Sequence, residues 1–294
     1  MTEVARDRWA EWLLERRFGG DQEQHERALE QVGRFRQRVL DNAALEGDEA
    51  LLDVGAGDGL IAFGALDRLG PEGTVILSDI SDDLLEHARV LAEELGVADR
   101  CSFVRASADD LAVVDDGSVD VVTTRSVLIY LDRDGKRRAF EEFRRVLRPG
   151  GRVSSFEPIN AFGCPEPKGW FYGYDLSEIR ELVGKVLVVA SPEGESTLVD
   201  FDERDLLAWA EAAGFDPIRL EYEAELGRGS WLTGSWEAAL HTSPNPLAPT
   251  LDEALDRALT TEERVEFETR LRPLVEANAG RRRMAYAYLS ATKP

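Results

Sequence analysis

The chain has 294 residues, of which 43% are hydrophobic and 31% are charged, and its formal net charge at pH 7 is −22. This composition is typical of a globular protein with a full core, and the excess of acid disfavours nucleic acid and anionic membranes as partners. No apolar run approaches the roughly 20 residues that cross a bilayer, and no secretory leader is predicted. The two cysteines favour neither a disulfide framework nor a metal cluster, so we expect a cytoplasmic protein without a bound metal.

Two helices are predicted first, over residues 3–17 and 22–43, and we expect them to form a helical cap. Strands and helices then alternate, with strands predicted at 51–54, 74–79, 102–105, 119–124 and 152–157. Repeated β–α–β units need right-handed crossovers. The pattern therefore predicts an α/β, Rossmann-like, doubly wound sheet that is mostly parallel.

The second half of the chain is less regular. Residues 158–202 and 227–281 interrupt the alternation, and we expect both to be lid-like insertions, with a loop over 227–250. Segments 203–226 and 282–294 continue the core and complete a seven-stranded sheet with an antiparallel last strand. The whole predicted division is a cap (1–44), a cofactor-binding core (45–157, 203–226 and 282–294) and the two insertions.

The most informative stretch is residues 51–59, with the sequence LLDVGAGDG. Three glycines follow an apolar strand at alternate positions, and glycine lets a ligand approach the backbone closely. A second apolar strand ends on Asp79, at about the distance where a nucleoside ribose is commonly bound. The glycine spacing differs from that of a dinucleotide fingerprint, and Asp53 and Asp58 would repel a pyrophosphate. The turn therefore favours a neutral or cationic ligand that carries an amine and a ribose.

Residues 51–59 resemble motif I of the class I S-adenosylmethionine-dependent methyltransferases. Asp79, residues 108–111 (ADDL) and residues 145–153 (RVLRPGGRV) match further segments of that family in order and spacing. The resemblance is strong over residues 45–157. It implies an enzyme that binds S-adenosyl-L-methionine, moves its methyl group by in-line displacement and releases S-adenosyl-L-homocysteine. The cofactor-binding residues that it implies are Asp53, Gly55, Ala56, Gly57, Asp79, Ile80, Ala108, Asp109, Thr124, Arg125 and Ser126.

The resemblance also implies individual roles. Asp53 would lie beside the methionine amine, and Asp79 would accept hydrogen bonds from both ribose hydroxyls. Ile80 would pack on the adenine, and Asp109 would accept from the adenine amino group. Arg125 departs from the small or amide residues common at its place. It would bind the cofactor carboxylate or an acid of the substrate, or form a simple ion pair.

Candidate catalytic bases are few. Glu157 follows the fifth strand, where the strands of such sheets carry ligands, and His241 lies in the second insertion. Glu157 could instead form an ion pair or a cap. Aromatic residues in three segments predict an enclosed site for a small, partly apolar or aromatic acceptor, although some of them will pack the core. The candidate acceptor-binding residues are Trp9, Phe18, Tyr130, Tyr172 and Trp231.

Two other functions remain open at this stage. The chain could use the same cofactor for another type of reaction, or bind it as a non-catalytic sensor. Arsenite as acceptor would require several cysteine ligands, and only Cys101 and Cys164 are present. A cation-dependent catechol-type enzyme is disfavoured because metal-ligand spacing is absent. We expect a monomer or homodimer acting on a small-molecule substrate.

Overall fold

The structure is a computed structural model that describes residues 6–17, 19, 22–190, 196–232 and 234–294. Contacts within the chain divide it into two units. We call the first the sheet unit, which comprises Gln31–Ile159, Thr197–Glu223 and Tyr286–Pro294. We call the second the helical unit, which comprises Met1–Glu30, Asn160–Ser196 and Ala224–Ala285.

The described residues form nine strands: β1 (Ala50–Val54), β2 (Thr74–Asp79), β3 (Cys101–Arg105), β4 (Val119–Arg125), β5 (Leu147–Pro158), β6 (Trp170–Phe171), β7 (Tyr174–Asp175), β8 (Ile218–Arg228) and β9 (Arg281–Thr292). Seven of them form one sheet in the order β3-β2-β1-β4-β5-β9-β8. The pairs among β1 to β5 are parallel, and β9 lies antiparallel to β5. The predicted seven-stranded Rossmann-like sheet is confirmed.

The described helices are α1 (Arg8–Glu11), α2 (Gln22–Ala43), α3 (Leu60–Leu66), α4 (Asp82–Glu94), α5 (Arg133–Val146), α6 (Arg180–Ala190), α7 (Ser196–Val199), α8 (Glu203–Ala213), α9 (Trp236–His241), α10 (Leu251–Ala258) and α11 (Thr261–Glu276). Their ends follow local chemistry. Ser81 is the N-cap of α4, and its hydroxyl accepts a hydrogen bond from the Leu84 N–H at 3.0 Å. Gly214 ends α8 in the left-handed conformation, with a φ of 87°.

The central strands are buried on both faces, which explains their nearly continuous aliphatic sequences. Leu51 and Leu52 in β1 and Val121 and Val122 in β4 are all fully buried. Because β1, β2, β4 and β5 are parallel, their carboxyl ends meet at one edge of the sheet, which we call the carboxyl edge. Every cofactor-binding residue that the sequence predicts lies on the strand ends or loops of this edge.

The helical unit has a core of its own. Phe171, Tyr174 and Trp236 are buried there with aliphatic residues of α6, α10 and α11. Helices α10 and α11 each begin with a capping box, in which Thr250 and Thr260 exchange hydrogen bonds with acids three residues later.

Two local predictions were only partly right, and one element was not predicted. The helix predicted over 3–17 is, in its described part, a short α1 followed by a π-helical stretch at Trp12–Arg16. The loop predicted over 227–250 contains α9, which Ser235 caps. The hairpin of β6 and β7 was missed. These elements have two to six residues, too few to show the periodicity on which the sequence argument depends.

Candidate functional site

The turn between β1 and α3 needs its glycines for conformational reasons. Gly55, Gly57 and Gly59 have φ angles of 66°, 57° and 83°, in the region that side chains rarely adopt. A Cβ atom on Gly55 would lie 2.2 Å from Cγ2 of Val127, so this glycine also permits close packing against the loop after β4. The turn therefore presents its backbone without side chains at the carboxyl edge.

Asp79, at the end of β2, holds this turn in place. Its Oδ2 accepts a hydrogen bond from the Gly57 N–H at 2.9 Å, and its Oδ1 accepts from the Ser81 N–H at 3.0 Å. The next residue, Ile80, is 41% exposed, so its apolar side chain is accessible next to Asp79. An acid and an exposed apolar side chain thus stand next to each other, and together they suit a ribose and the flat base attached to it.

Asp53, in β1, is fully buried and has a partner for each oxygen. The Thr123 hydroxyl donates to Oδ1 at 2.8 Å, and the Ala62 N–H donates to Oδ2 at 3.2 Å. Burial raises the pKa of Asp53 to about 7, although these two donors and the charge of Arg125 oppose the rise. The carboxyl therefore joins β1, β4 and the first turn of α3 directly behind the glycine turn.

Ala108 and Asp109 lie in the loop after β3. Ala108 is buried, and Asp109 accepts hydrogen bonds from the Ser107 hydroxyl at 2.5 Å and from Arg138 at 2.7 Å. Burial would raise the pKa of Asp109, but the Ser107 and Arg138 donors outweigh it and hold the pKa below its usual value. Asp109 is therefore ionised and bound to Arg138 across neutral pH.

The loop after β4 turns sharply at Ser126, which has a φ of 57° and donates its N–H to the Phe156 carbonyl at 2.8 Å. Thr124, just before it, is buried, and its hydroxyl has no hydrogen-bond partner among the described residues. The backbone N–H groups of Val127 and Leu128 both donate to Oε1 of Glu157, each at 3.0 Å. One carboxylate oxygen of β5 thus fixes the start of this loop.

Glu157 is a second buried carboxyl of the carboxyl edge. Its side chain is fully buried, and Oε2 has no hydrogen-bond partner in the described part of the chain. Burial raises the pKa of Glu157 to about 7, against the backbone donors of Leu128, Val127 and Ile129 and the nearby charge of Lys136. The carboxyl therefore gains or loses its proton close to neutral pH.

The remaining predicted residues occupy varied positions. Tyr130 is half-buried and ends the short 3₁₀ turn Leu128–Tyr130 of the sheet unit. In the helical unit, Tyr172 and Trp231 contact each other with ring centroids 4.6 Å apart, and Trp231 is 38% exposed. Trp9 is half-buried in α1. Phe18 lies outside the described residues.

His241 ends α9, in the helical unit. Its side chain is exposed, and Nε2 lies 3.2 Å from Oε1 of Glu237, one helical turn earlier. This is an ordinary surface pair between side chains four residues apart. Unlike Glu157, His241 is therefore not a buried titratable group.

Sequence reasoning missed Lys136, which is fully buried on α5. Its ammonium donates to the carbonyls of Leu131 and Thr197 and to Oδ1 of Asp200. A signal for it exists in the sequence, because Lys136 precedes the buried Phe140 and Phe143 by four and seven residues and so falls on the apolar face of the helix. A lysine in that position predicts a buried charge with specific acceptors.

The residues of the carboxyl edge fit S-adenosylmethionine as a ligand. The bare glycine turn, the acid fixed beside it and the exposed Ile80 match the backbone approach, ribose and adenine that this cofactor needs. Thr124, one of the cofactor-binding residues that the resemblance implies, has a buried hydroxyl without a hydrogen-bond partner among the described residues. Negative charge on Asp53 and Asp58, the acids of the turn, would repel a pyrophosphate.

Comparisons with known proteins also indicate a methyltransferase. The sequence model of a family described as a methyltransferase domain matches residues 51–151. The chain is 30% identical to the ubiquinone/menaquinone biosynthesis C-methyltransferase UbiE of Pseudomonas putida strain W619, over 61% of this chain and 70% of that protein. The chain belongs to the class I S-adenosylmethionine-dependent methyltransferases. It is thus an enzyme that uses S-adenosylmethionine as its cofactor.

The chain is also similar to a curated enzyme and to a solved structure. The chain is 31% identical to an arsenite methyltransferase of Halobacterium salinarum, over 56% of this chain and 45% of that protein. The structure of the YcgJ protein from Bacillus subtilis has a TM-score of 0.56 and 17% identity, and it covers 88% of this chain and 97% of that one. At this identity the second likeness concerns the fold alone.

Two features were not found in the described ranges. No helix there has both the length and the apolar composition that crossing a bilayer requires. No group of three or more His, Cys, Asp or Glu side chains there is arranged to hold a metal ion.

Proposed function

We propose that this methyltransferase acts on a small, partly apolar or aromatic metabolite, with its cofactor bound at the carboxyl edge of the sheet unit. The observation that carries the proposal is the hydrogen bond from the Gly57 N–H to Asp79, with the exposed Ile80 beside it. The cofactor contacts proposed are those of the sequence analysis: Asp53, Gly55, Ala56, Gly57, Asp79, Ile80, Ala108, Asp109, Thr124, Arg125 and Ser126.

The proposed contacts divide by chemistry. Asp79 accepts from the ribose hydroxyls, Ile80 packs on the adenine, and Arg125 with Thr124 faces the methionine end. Asp53 favours the cationic amine by its charge when it is ionised. The bound cofactor supplies an activated methyl group on a sulfonium whose leaving group is neutral. The protein then contributes mainly proximity and alignment, together with removal of a proton where the acceptor needs it.

We propose Glu157 as the base for an acceptor that must lose a proton. Oε1 is committed to two backbone donors, whereas Oε2 is not, and a pKa of about 7 suits a base that works at neutral pH. His241 was the other candidate. Its exposed pairing with Glu237 gives no support to a catalytic role, so the proposal rests on Glu157.

The acceptor class follows from the relatives and from the cysteines. A ring carbon or phenol oxygen of an electron-rich aromatic molecule fits both the likeness to quinone-pathway C-methyltransferases and a carboxyl base. Arsenite fits less well despite the Halobacterium relative, because the chain has only Cys101 and Cys164 to offer as thiolate ligands. We further propose a cytoplasmic enzyme, a monomer or homodimer without nucleic acid partners, in keeping with its net charge of −22.

Calorimetric titration with S-adenosylmethionine and S-adenosylhomocysteine tests the cofactor site. We expect both to bind, and Asp79→Ala to weaken both strongly. Absence of binding by the wild-type protein would refute the proposal, and unchanged affinity in Asp79→Ala would refute the assigned role of Asp79.

Transfer of a radiolabelled methyl group to a panel of phenols, hydroquinones, amines, thiols and arsenite tests the acceptor class. We expect label in the phenols or hydroquinones, and loss of that labelling in Glu157→Gln. Binding of the cofactor without transfer to any of them would favour a non-catalytic sensor or a different use of the cofactor. Transfer to arsenite alone would overturn the proposed acceptor class.

A further inference from the structure

The short segment 127–131 follows β4 and is held at both ends by buried charged groups. At its start, the Val127 and Leu128 N–H groups donate to Oε1 of Glu157. Hydrogen bonds to a charged acceptor are stronger than those between neutral groups. The start of the segment is therefore fixed whenever Glu157 is ionised.

The end of the segment is held by Lys136. Its buried ammonium donates to the Leu131 carbonyl, to the Thr197 carbonyl at 3.0 Å and to Oδ1 of Asp200 at 2.7 Å. These three acceptors use all the donors that an ammonium has. Because each acceptor lies in a different place on the chain, Lys136 has one position in which all are satisfied.

The two charged groups also act on each other. Burial lowers the pKa of Lys136, and the charges of Asp200 and Glu157 oppose that effect, while Arg133 adds to it. The charge of Lys136 in turn works to lower the pKa of Glu157. A buried ion pair is weak support for stability, since apolar residues of similar size often serve as well. The charge of Lys136 is therefore better explained by what it holds in place.

The segment between them touches the cofactor turn. Cγ2 of Val127 occupies the space where Gly55 would carry a Cβ, so Val127 packs directly against the glycine turn. Tyr130, a predicted acceptor contact, lies in the same segment and donates its backbone N–H to the Val127 carbonyl at 3.1 Å. One short segment thus links the cofactor turn to a predicted acceptor residue.

We propose that Lys136 is a positioning residue for methyl transfer: together with Glu157 it fixes both ends of segment 127–131, and so holds Val127 against the glycine turn and Tyr130 in one place. The inference rests on the proposed use of the carboxyl edge for catalysis. It adds a residue that touches neither cofactor nor acceptor but sets the geometry of groups that do.

The first test compares Lys136→Met with Arg133→Met. Arg133 is the matched control, because it lies on the same turn of α5 and also bonds to the segment after Thr197, through the Asp200 carbonyl and Asp205, but holds no part of 127–131. We expect kcat to fall by about 100-fold in Lys136→Met, since small misplacements have effects of that size, with the cofactor Kd changed far less. Arg133→Met should keep near wild-type kcat.

The second test follows the Glu157 carboxyl by ¹³C NMR titration, with Glu157→Gln used to assign its signal. Loss of the Lys136 charge should move the titration of Glu157 to higher pH, since that charge works to lower the pKa of Glu157. Arg133→Met should move the Glu157 titration little. Asp200→Asn removes the charge from one of the three acceptors of the Lys136 ammonium, so it should lower kcat as well, by a smaller factor than Lys136→Met does.

The outcomes are separable. Equal kcat values for Lys136→Met and Arg133→Met, or an unmoved Glu157 titration in Lys136→Met, would overturn the positioning role. If Lys136→Met does not fold, Asp200→Asn decides, and a kcat no lower than that of Arg133→Met would overturn the positioning role. Failure of the wild-type protein to bind S-adenosylmethionine would instead defeat the proposed function, and retained kcat in Glu157→Gln would defeat only the role of Glu157 as base.

Discussion

Replacing Glu157 by Gln should make the protein more stable at alkaline pH. The folded protein keeps the carboxyl in a fully buried place that raises its pKa to about 7, against 4.5 for an ordinary glutamate. The folded state therefore holds this proton more tightly than the unfolded state does. The stability that the protonated group provides is complete below pH 4.5 and is lost as the pH rises through 7.

The size of the effect follows from the two pKa values. Ionising Glu157 in the folded protein costs about 3 kcal/mol of unfolding free energy by pH 8, and less than about 1 kcal/mol at pH 5. Glutamine cannot ionise, yet its side-chain oxygen can still accept from the Val127 and Leu128 N–H groups. Glu157→Gln should thus exceed the wild type by about 3 kcal/mol at pH 8, with little difference at pH 5.

Urea unfolding of both proteins at pH 5, 6, 7 and 8 measures this difference, and contributions from Asp53 cancel because both proteins contain it.

Glu142→Gln is the control of opposite sign. Arg145 lowers the pKa of Glu142, with help from the Leu111 N–H, so this carboxylate stabilises the fold above its unfolded pKa. Glu142→Gln should therefore be less stable than the wild type at pH 8. A wild-type and Glu157→Gln difference that does not change with pH would refute the reasoning.

Three further substitutions test the rest of the site. Asp79→Asn should raise the Kd of S-adenosylmethionine by about 10- to 100-fold, the effect expected from losing a charged hydrogen-bond acceptor. The control Asp82→Asn changes an exposed carboxylate on the next helix and should not raise the Kd. Equal Kd values for the two variants would contradict the ribose role of Asp79. Gly55→Ala should lower the unfolding free energy by about 2–4 kcal/mol, because Gly55 has a φ of 66° and packs closely against Val127. The control Gly33→Ala lies on a helix with open space around it and should be neutral or slightly stabilising in the same urea assay. Trp231→Ala should raise the KM for the acceptor and leave the Kd for the cofactor unchanged, and the reverse pattern would exclude Trp231 from acceptor binding.

The strands and the glycine turn could be predicted because their signals are local. An apolar strand that stops at an acid, followed by alternating glycines, has few physical explanations, and Asp79 falls at the end of the next strand in the same way. Helix starts at Ser81, Thr250 and Thr260 were predictable for the same reason, since a cap needs only its neighbours.

The contacts that set the chemistry were less predictable. Which oxygen of Glu157 meets the loop after β4 depends on how two strands pack, which no local pattern states. The aromatic residues show the same limit from the other side. Phe171, Tyr174 and Trp236 belong to the core of the helical unit, while Tyr172 and Trp231 form a partly exposed pair. Composition alone does not distinguish the three core residues from the two residues of the exposed pair.

The packing of the carboxyl edge implies that cofactor binding and catalysis cannot be varied independently. Gly55 can approach Val127 only because it has no Cβ, and Val127 is held by Glu157, whose charge is in turn influenced by Lys136. A substitution at either end of this series of contacts should therefore alter both the cofactor Kd and kcat. The closer the substitution lies to the glycine turn, the more it should affect the Kd relative to kcat. Gly55→Ala should act mainly on the Kd and Lys136→Met mainly on kcat, because each lies nearest to the step that it controls.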